Sequence, residues 1–261
     1  MKCEQRNRNL GLTWLLWLVS LASCATAPAE SSAPGEPVAR PAIRVASDLA
    51  NPPFAWVDEQ GRAQGRDVAM MTWLAERVDR ELVWVRMPFD ELLGALEEGR
   101  ADVVCATLGI TPERARRVDF TRPYFETELA VLVPSQGPRS LAELDGRRVG
   151  AGAGTTSERA VRSKLPRAIG VFENKAGRGT AERLIGGELE AAVMDGPAAE
   201  AMVAASAGRL VRLDVVLDAE RYALALTRGQ PGLLAALDAA LEEAHESGRS
   251  AAWNEEFGTN P

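Results

Sequence analysis

The chain has 261 residues, 46% of them hydrophobic and 26% charged, with a formal net charge of −7. That length suits one large domain or two small ones, and the composition excludes a disordered, collagen-like or disulfide-scaffold chain, while the acidic balance argues against nucleic acid as a partner. With three cysteines and one histidine, neither a metal or other cofactor nor a Ser-His-Asp catalytic centre is expected.

Residues 1–23 read as a targeting segment. Lys2, Arg6 and Arg8 precede an apolar run over 10–21, shorter than the ~20 residues that span a bilayer. The segment ends in Leu21-Ala22-Ser23-Cys24, small residues before a cysteine, which resembles a bacterial lipobox. On that reading 1–23 is a lipoprotein signal peptide cut before Cys24, which then carries the lipid; the alternative is an ordinary cleaved signal with a chance cysteine. Residues 24–42, rich in Pro, Ala and Ser, read as a flexible tether. The segment removed holds three basic residues and one acid, so the mature charge falls from −7 to −9. The expected location is outside the cytoplasm, on the periplasmic side of a bacterial membrane and anchored through Cys24.

Beyond the tether, short apolar runs alternate with helical periodicity. Residues 43–47 form the first expected strand, after which Met71, Leu74, Ala75 and Val78 recur at helical spacing. A second strand over 82–85 is followed by Phe89, Leu92, Leu93 and Leu96 at i, i+3, i+4 and i+7. A third over 102–106 holds Cys105 as a core residue, and a helix is expected to begin over 111–118. After the turn signal Ser135-Gln136-Gly137-Pro138 the rhythm restarts, with strands near 148–151, 168–172 and 191–194 separated by helices. A strand over 222–227, a periodic helix over 231–246 and a short one ending near Phe257 complete the chain. Strands alternating with helices predict an α/β fold with doubly wound, mostly parallel sheets. Two lobes are expected, 43–133 with 223–261 and 134–222, joined by two crossings that form a hinge.

Ligands of open α/β sheets bind beyond the carboxyl ends of strands, and three segments placed there are unusual. In Thr107-Leu108-Gly109-Ile110-Thr111-Pro112-Glu113-Arg114, Thr111 suits an N-cap and Pro112 a first helical position. Arg114 then falls in the first turn, where the helix dipole disfavours a cation. An anion bound there would satisfy the arginine and the free backbone N–H groups together; pairing with Glu113 or Asp119 would explain it without a ligand. Residues 150–158 form a Gly-rich passage from strand to helix, with Thr155 and Glu158 at capping-box spacing around Thr156. It matches neither G-x-G-x-x-G nor a P-loop, and a purely structural turn is an equal reading. Asp195, in Met194-Asp195-Gly196-Pro197, ends an apolar strand where it can cap the next helix or receive an ammonium group.

The three segments, in this order and spacing, resemble the bacterial periplasmic amino-acid-binding proteins (solute-binding protein family 3) that serve polar amino-acid ABC transporters. The resemblance spans about 43–259. It is carried by Ser47-Asp48 with Pro52-Pro53-Phe54, Gly65-Arg66-Asp67-Val68, Gly99-Arg100-Ala101-Asp102, Ile110-Thr111-Pro112-Glu113-Arg114, Val118-Asp119-Phe120-Thr121, Pro123-Tyr124-Phe125, Gly154-Thr155-Thr156 and the ending over 253–258. It implies a type II periplasmic-binding-protein fold, and a monomer that closes on an amino acid and hands it to an ABC transporter permease. By resemblance, Arg114 clamps the ligand carboxylate with help from backbone at Thr156, Asp195 receives the ammonium group, and Phe89 covers the ligand. Groups near Thr107 and Gly109 complete the cradle, with Asp48, Asn51 and Thr155 around it. The sequence departs from the family where Asn51 replaces a lid aromatic, Gly109 replaces a common Ser or Thr, and Arg66 and Ala69 interrupt a Gly-aromatic-Asp-x-acid signature. Two alternatives share the fold. One is an accessory or sensory binding module; the other is a periplasmic cyclohexadienyl (prephenate or arogenate) dehydratase, whose general acid would follow the Asp195 position, where this chain has Ala198 and Ala199.

Overall fold

Successive residues of a strand point to opposite faces of its sheet, and in the strand Ala42–Ser47 both faces are apolar: Ile43 and Val45 enter one core cluster and Ala46 another. Such a strand has to be central and covered on both sides. In the computed structural model, which describes residues 40–173 and 178–259, it is. The signal peptide, Cys24 and the tether up to residue 39 lie outside the described residues.

The first sheet has the strand order Glu81–Arg86, Ala42–Ser47, Val103–Val104, Ala225–Leu226, Asp119–Phe120. The first three run parallel, with Ile43 opposite Leu82 and Val45 opposite Val103. Ala225–Leu226 pairs antiparallel with both of its neighbours. One face is covered by the helices Arg66–Arg77, Pro231–Glu246 and Arg249–Phe257, which contribute Met71, Leu74, Leu237, Leu241 and Trp253. The other face is covered by the helix Leu92–Glu97 through Leu92 and Leu96.

The second sheet has the order Ile169–Glu173, Arg148–Gly152, Ala191–Asp195, Phe125–Pro134, Leu210–Arg212, and Asp218–Tyr222 also pairs with Phe125–Pro134. The first three strands are again parallel and the rest antiparallel. Leu129, Val131 and Val133 pack on the side of the helix Thr156–Lys164, and Ala130 and Leu132 on the side of Gly196–Ala205. Each buried aliphatic side chain of this kind stabilises the fold by about 1.5–3 kcal/mol. A small antiparallel sheet of Ala50–Asn51, Ala55–Val57 and Ala63–Gln64 leads into the first helix. There Gly65 has φ +118, and a Cβ would collide with the Phe54 carbonyl, so only glycine fits.

The two-lobe α/β architecture is as expected, and the last helices pack on the first sheet. Both sheets are mixed rather than mostly parallel, because the chain enters and leaves each lobe on antiparallel strands. Phe125–Pro134 was assigned by sequence to the first lobe, yet it hydrogen-bonds within the second sheet. The first crossing therefore lies between Phe120 and Phe125, not at 133/134, and the second lies between Tyr222 and Ala225. The sequence boundary was set on the turn signal at Ser135 to Pro138, which comes after the strand and is therefore too late. The helix expected over 111–118 is a single 3-10 turn, Arg114–Arg116, because the strand Asp119–Phe120 follows at once.

The interrupted signature at Arg66 also finds its reason. Arg66 is 1% exposed, and its guanidinium lies 5.2 Å from the Tyr124 ring centroid and 5.1 Å from that of Phe125. A planar cation that stacks on rings thus occupies the position where the expected signature is interrupted. It donates to Asn254 Oδ1 at 2.8 Å and to the Tyr124 carbonyl at 3.2 Å, and pairs with Asp67 at 3.4 Å. Asp67 in turn accepts the Tyr124 hydroxyl at 2.7 Å and the backbone N–H of Thr107. Burial pushes the Asp67 carboxyl up, and the Arg66 charge opposes this.

Candidate functional site

The carboxyl ends of the parallel strands of both sheets face one another across a cavity of ≈ 70 Å³. Its wall brings together Asp48, Asn51, Phe89, Thr107, Arg114, Thr155, Thr156 and Asp195. Of the residues singled out in the sequence, Gly109 stands behind the wall, in contact with it through its carbonyl.

Arg114 is placed by its own turn: the Thr111 hydroxyl accepts its backbone N–H at 3.1 Å. The guanidinium donates to the Gly109 carbonyl at 2.7 Å within its lobe and to the Gly154 carbonyl at 2.9 Å in the other lobe, and lies 5.6 Å from the Phe89 ring centroid. These partners are carbonyls, so the pairing with Glu113 or Asp119 considered from sequence is not what holds it. Burial pulls its pKa down to about 10. A guanidinium carries five N–H donors, which leaves part of the fork for an anion.

Facing it is the start of the helix Thr156–Lys164. Thr155 caps it by accepting the Glu158 N–H at 3.3 Å, and the Glu158 carboxylate reaches back to the Gly154 N–H at 2.7 Å. The predicted capping box is therefore present, closing on Gly154 rather than on Thr155. Thr156, the next residue, turns its hydroxyl into the cavity and donates to Glu220 at 2.9 Å.

Asp195 takes the first of the two roles the sequence allowed, the helix cap. Its Oδ1 accepts the Ala198 N–H at 3.1 Å and caps the helix Gly196–Ala205, while its Oδ2 lies 3.5 Å from Asn51 Nδ2 of the opposite lobe. Burial raises its pKa, against the two hydrogen bonds. Asn51 also donates to the Thr107 hydroxyl at 3.0 Å, so a polar link between the lobes stands where an aromatic lid was missing. Thr107 has φ +47, an uncommon and strained setting for a β-branched residue, and the buried Asp67 holds its N–H. The Asp48 carboxyl, on the same wall, is pushed up by burial, with Arg86 opposing.

Two titratable residues of the cavity wall escaped sequence reasoning: Glu220 and Tyr222, on the strand Asp218–Tyr222 that runs into the second crossing. Both are buried, and burial pushes the Glu220 carboxyl to about 7, with the Asp195 charge adding to it. A signal existed. At period two, Glu220 shares the inward face with Tyr222, and an acid at a core position of a strand marks either a partner or a site.

A model of the bacterial extracellular solute-binding proteins, family 3, matches residues 43–260. The chain is 31% identical over 249 residues to a probable histidine-binding protein of Neisseria gonorrhoeae, covering 89% of this chain and 91% of that one. Among solved structures, an ancestral arginine-binding protein bound to arginine superposes with a TM-score of 0.78 at 30% identity, covering 84% of this chain and 98% of that one. An ancestral amino acid-binding protein that is a precursor of cyclohexadienyl dehydratase gives 0.76 at 28% identity, over 83% and 95% of the two chains.

Proposed function

The chain belongs to family 3 of the bacterial extracellular solute-binding proteins, and we propose that it captures an amino acid in the cavity between its lobes for delivery to an ABC transporter. One observation carries this reading: Arg114 and Asp195, of opposite charge and on opposite lobes, face one small cavity, Arg114 held by backbone carbonyls and Asp195 by the Ala198 N–H and the Asn51 amide, and neither by the other. A zwitterion completes both. Its carboxylate takes the remaining fork of Arg114 and the N–H groups at the start of the Thr156–Lys164 helix, its ammonium group takes the cavity-facing oxygen of Asp195, and Phe89 covers its apolar part. Because the groups come from two lobes, only the closed form satisfies all of them, and ligand shifts the open-to-closed equilibrium by its better contacts there.

Asp48 adds a further negative group to the wall, which suits a basic side chain; two of the relatives named above are a probable histidine-binding protein and an arginine-binding protein bound to arginine. The reading is of binding without catalysis, because Pro197, Ala198 and Ala199 open the helix after Asp195 and offer no acid. It also includes a monomer held at the periplasmic side of a membrane through lipid on Cys24. The test is thermal unfolding of the purified protein with each of the twenty L-amino acids. A ligand at about 100 times its dissociation constant adds about 2.7 kcal/mol, and a raised midpoint is expected with L-arginine, L-histidine or L-lysine foremost. If no amino acid moves the midpoint, the reading fails and an accessory module takes its place.

A further inference from the structure

The cavity holds one acidic group that the zwitterion reading leaves unused. Glu220 is 6% exposed and accepts the Thr156 hydroxyl at 2.9 Å, and no cationic side chain among the described residues pairs with it. Directly opposite is Gly109. A Cβ at that position would stand 3.0 Å from the Thr156 methyl and 3.2 and 3.4 Å from the two Glu220 oxygens. A side chain at position 109 would therefore press on the Glu220 carboxyl and the Thr156 methyl, and glycine at 109 and glutamate at 220 fit together as a pair.

The charged and titratable groups that face Glu220 come from every surrounding element. Asp195 comes from the end of its strand, Arg114 from the turn of the first lobe, Arg159 from the Thr156–Lys164 helix and Tyr222 from its own strand. Asp195 raises the tendency of Glu220 to hold a proton, and Arg114 and Arg159 lower it. When a ligand carboxylate arrives at Arg114 and Thr156, it comes up beside Glu220. Two neighbouring carboxylates that share one arginine in a closed cavity cannot both stay ionised at low cost. A proton on Glu220 removes the repulsion and converts the group from acceptor to donor.

We propose that Glu220 is a ligand-contacting residue that is protonated in the loaded state, so that capture of a carboxylate ligand takes up a proton from solution. The balance is simple: one proton moves from solvent to a Glu220 oxygen, and the ligand carboxylate remains charged on Arg114. This rests on the amino-acid reading above. Without ligand, burial already holds the carboxyl near about 7. Uptake then amounts to about half a proton per ligand near pH 7 and approaches one near pH 8. Asp195 works in the opposite sense, since an ammonium group beside it favours the ionised form and releases any proton held there.

The experiment is titration calorimetry near pH 8 with the L-amino acid that raises the unfolding midpoint most, in phosphate and in Tris, whose heats of ionisation differ. The expected result for the wild type is a buffer-dependent heat equal to about one proton taken up per ligand, and an affinity that falls toward tenfold per pH unit above that. In Glu220→Gln the uptake disappears, and any remaining buffer dependence has the opposite sign, from Asp195. Thr156→Val, which removes the bond that favours the ionised carboxyl, reduces the uptake near pH 7. Equal heats in the two buffers for a wild-type protein that binds its amino acid overturn the proposal and leave the binding function standing, and this arm needs no variant to fold. Uptake that persists in Glu220→Gln also overturns it. If no amino acid binds at all, the amino-acid reading falls and the proposal falls with it.

Discussion

Asp67→Ala removes the centre of a buried network and is expected to cost about 4 kcal/mol of folding stability. Asp67 is fully buried, accepts the Tyr124 hydroxyl at 2.7 Å and the Thr107 N–H, and faces Arg66 at 3.4 Å. Each buried donor left without an acceptor costs about 1–3 kcal/mol, and a buried charge deprived of its partner about 3–5 kcal/mol. These losses belong to one network and do not add. Arg66 keeps Asn254 and the Tyr124 carbonyl, which places the total in the middle of the range. Equilibrium urea unfolding reads it. Trp56, Trp73, Trp84 and Trp253 all belong to the first lobe, two of them with ring centroids 5.9 Å apart, so fluorescence follows that lobe. The double variant Arg66→Met with Asp67→Leu should lose less than Asp67→Ala alone, since it leaves no uncompensated charge. A loss below about 1 kcal/mol for Asp67→Ala, or a double variant worse than the single, would refute the network argument.

Asn51→Ala removes the link to Thr107 and Asp195, and weakening of the closed form by about 1 kcal/mol should appear in calorimetry as roughly fivefold lower amino-acid affinity. Stability without ligand should fall as pH rises from about 4.5 through about 7. The folded value of Glu220, about 7, lies above its ordinary value, so the native state holds that proton more tightly and the contribution is lost once it dissociates; Glu220→Gln flattens midpoint against pH over that window. Cys24→Ser should release the protein from the membrane fraction or leave it unprocessed, and unchanged mass with full membrane retention would contradict the lipobox reading.

Most of the first lobe was legible because its strands are apolar on both faces and its helices periodic, as with 43–47 and 231–246. The long strand Phe125–Pro134 was assigned to the wrong lobe. In 125–134 the run Leu129 to Val133 is continuously apolar and carries no period, so the decisive information was its pairing with 191–195, 210–212 and 218–222, which is long-range. The site followed the same rule. Arg114, Thr155 and Asp195 break or satisfy local helix-end rules and could be picked out one by one. Glu220 could be noticed only as an acid on an inward face, because its partners Thr156 and Gly109 are distant in sequence. Arg66 read as a broken signature, and the ring pair that accommodates it comes from 124–125, about sixty residues on.

Calorimetry on Arg114→Ala and Asp195→Asn, with the bound amino acid and its deaminated analogue, tests capture of a zwitterion between the lobes most directly. Arg114→Ala is expected to lose about 2–5 kcal/mol on both compounds, since both carry the carboxylate. Asp195→Asn is expected to lose a similar amount on the amino acid and little on the analogue, which lacks the ammonium group. Wild-type affinity for the amino acid in either variant would contradict it.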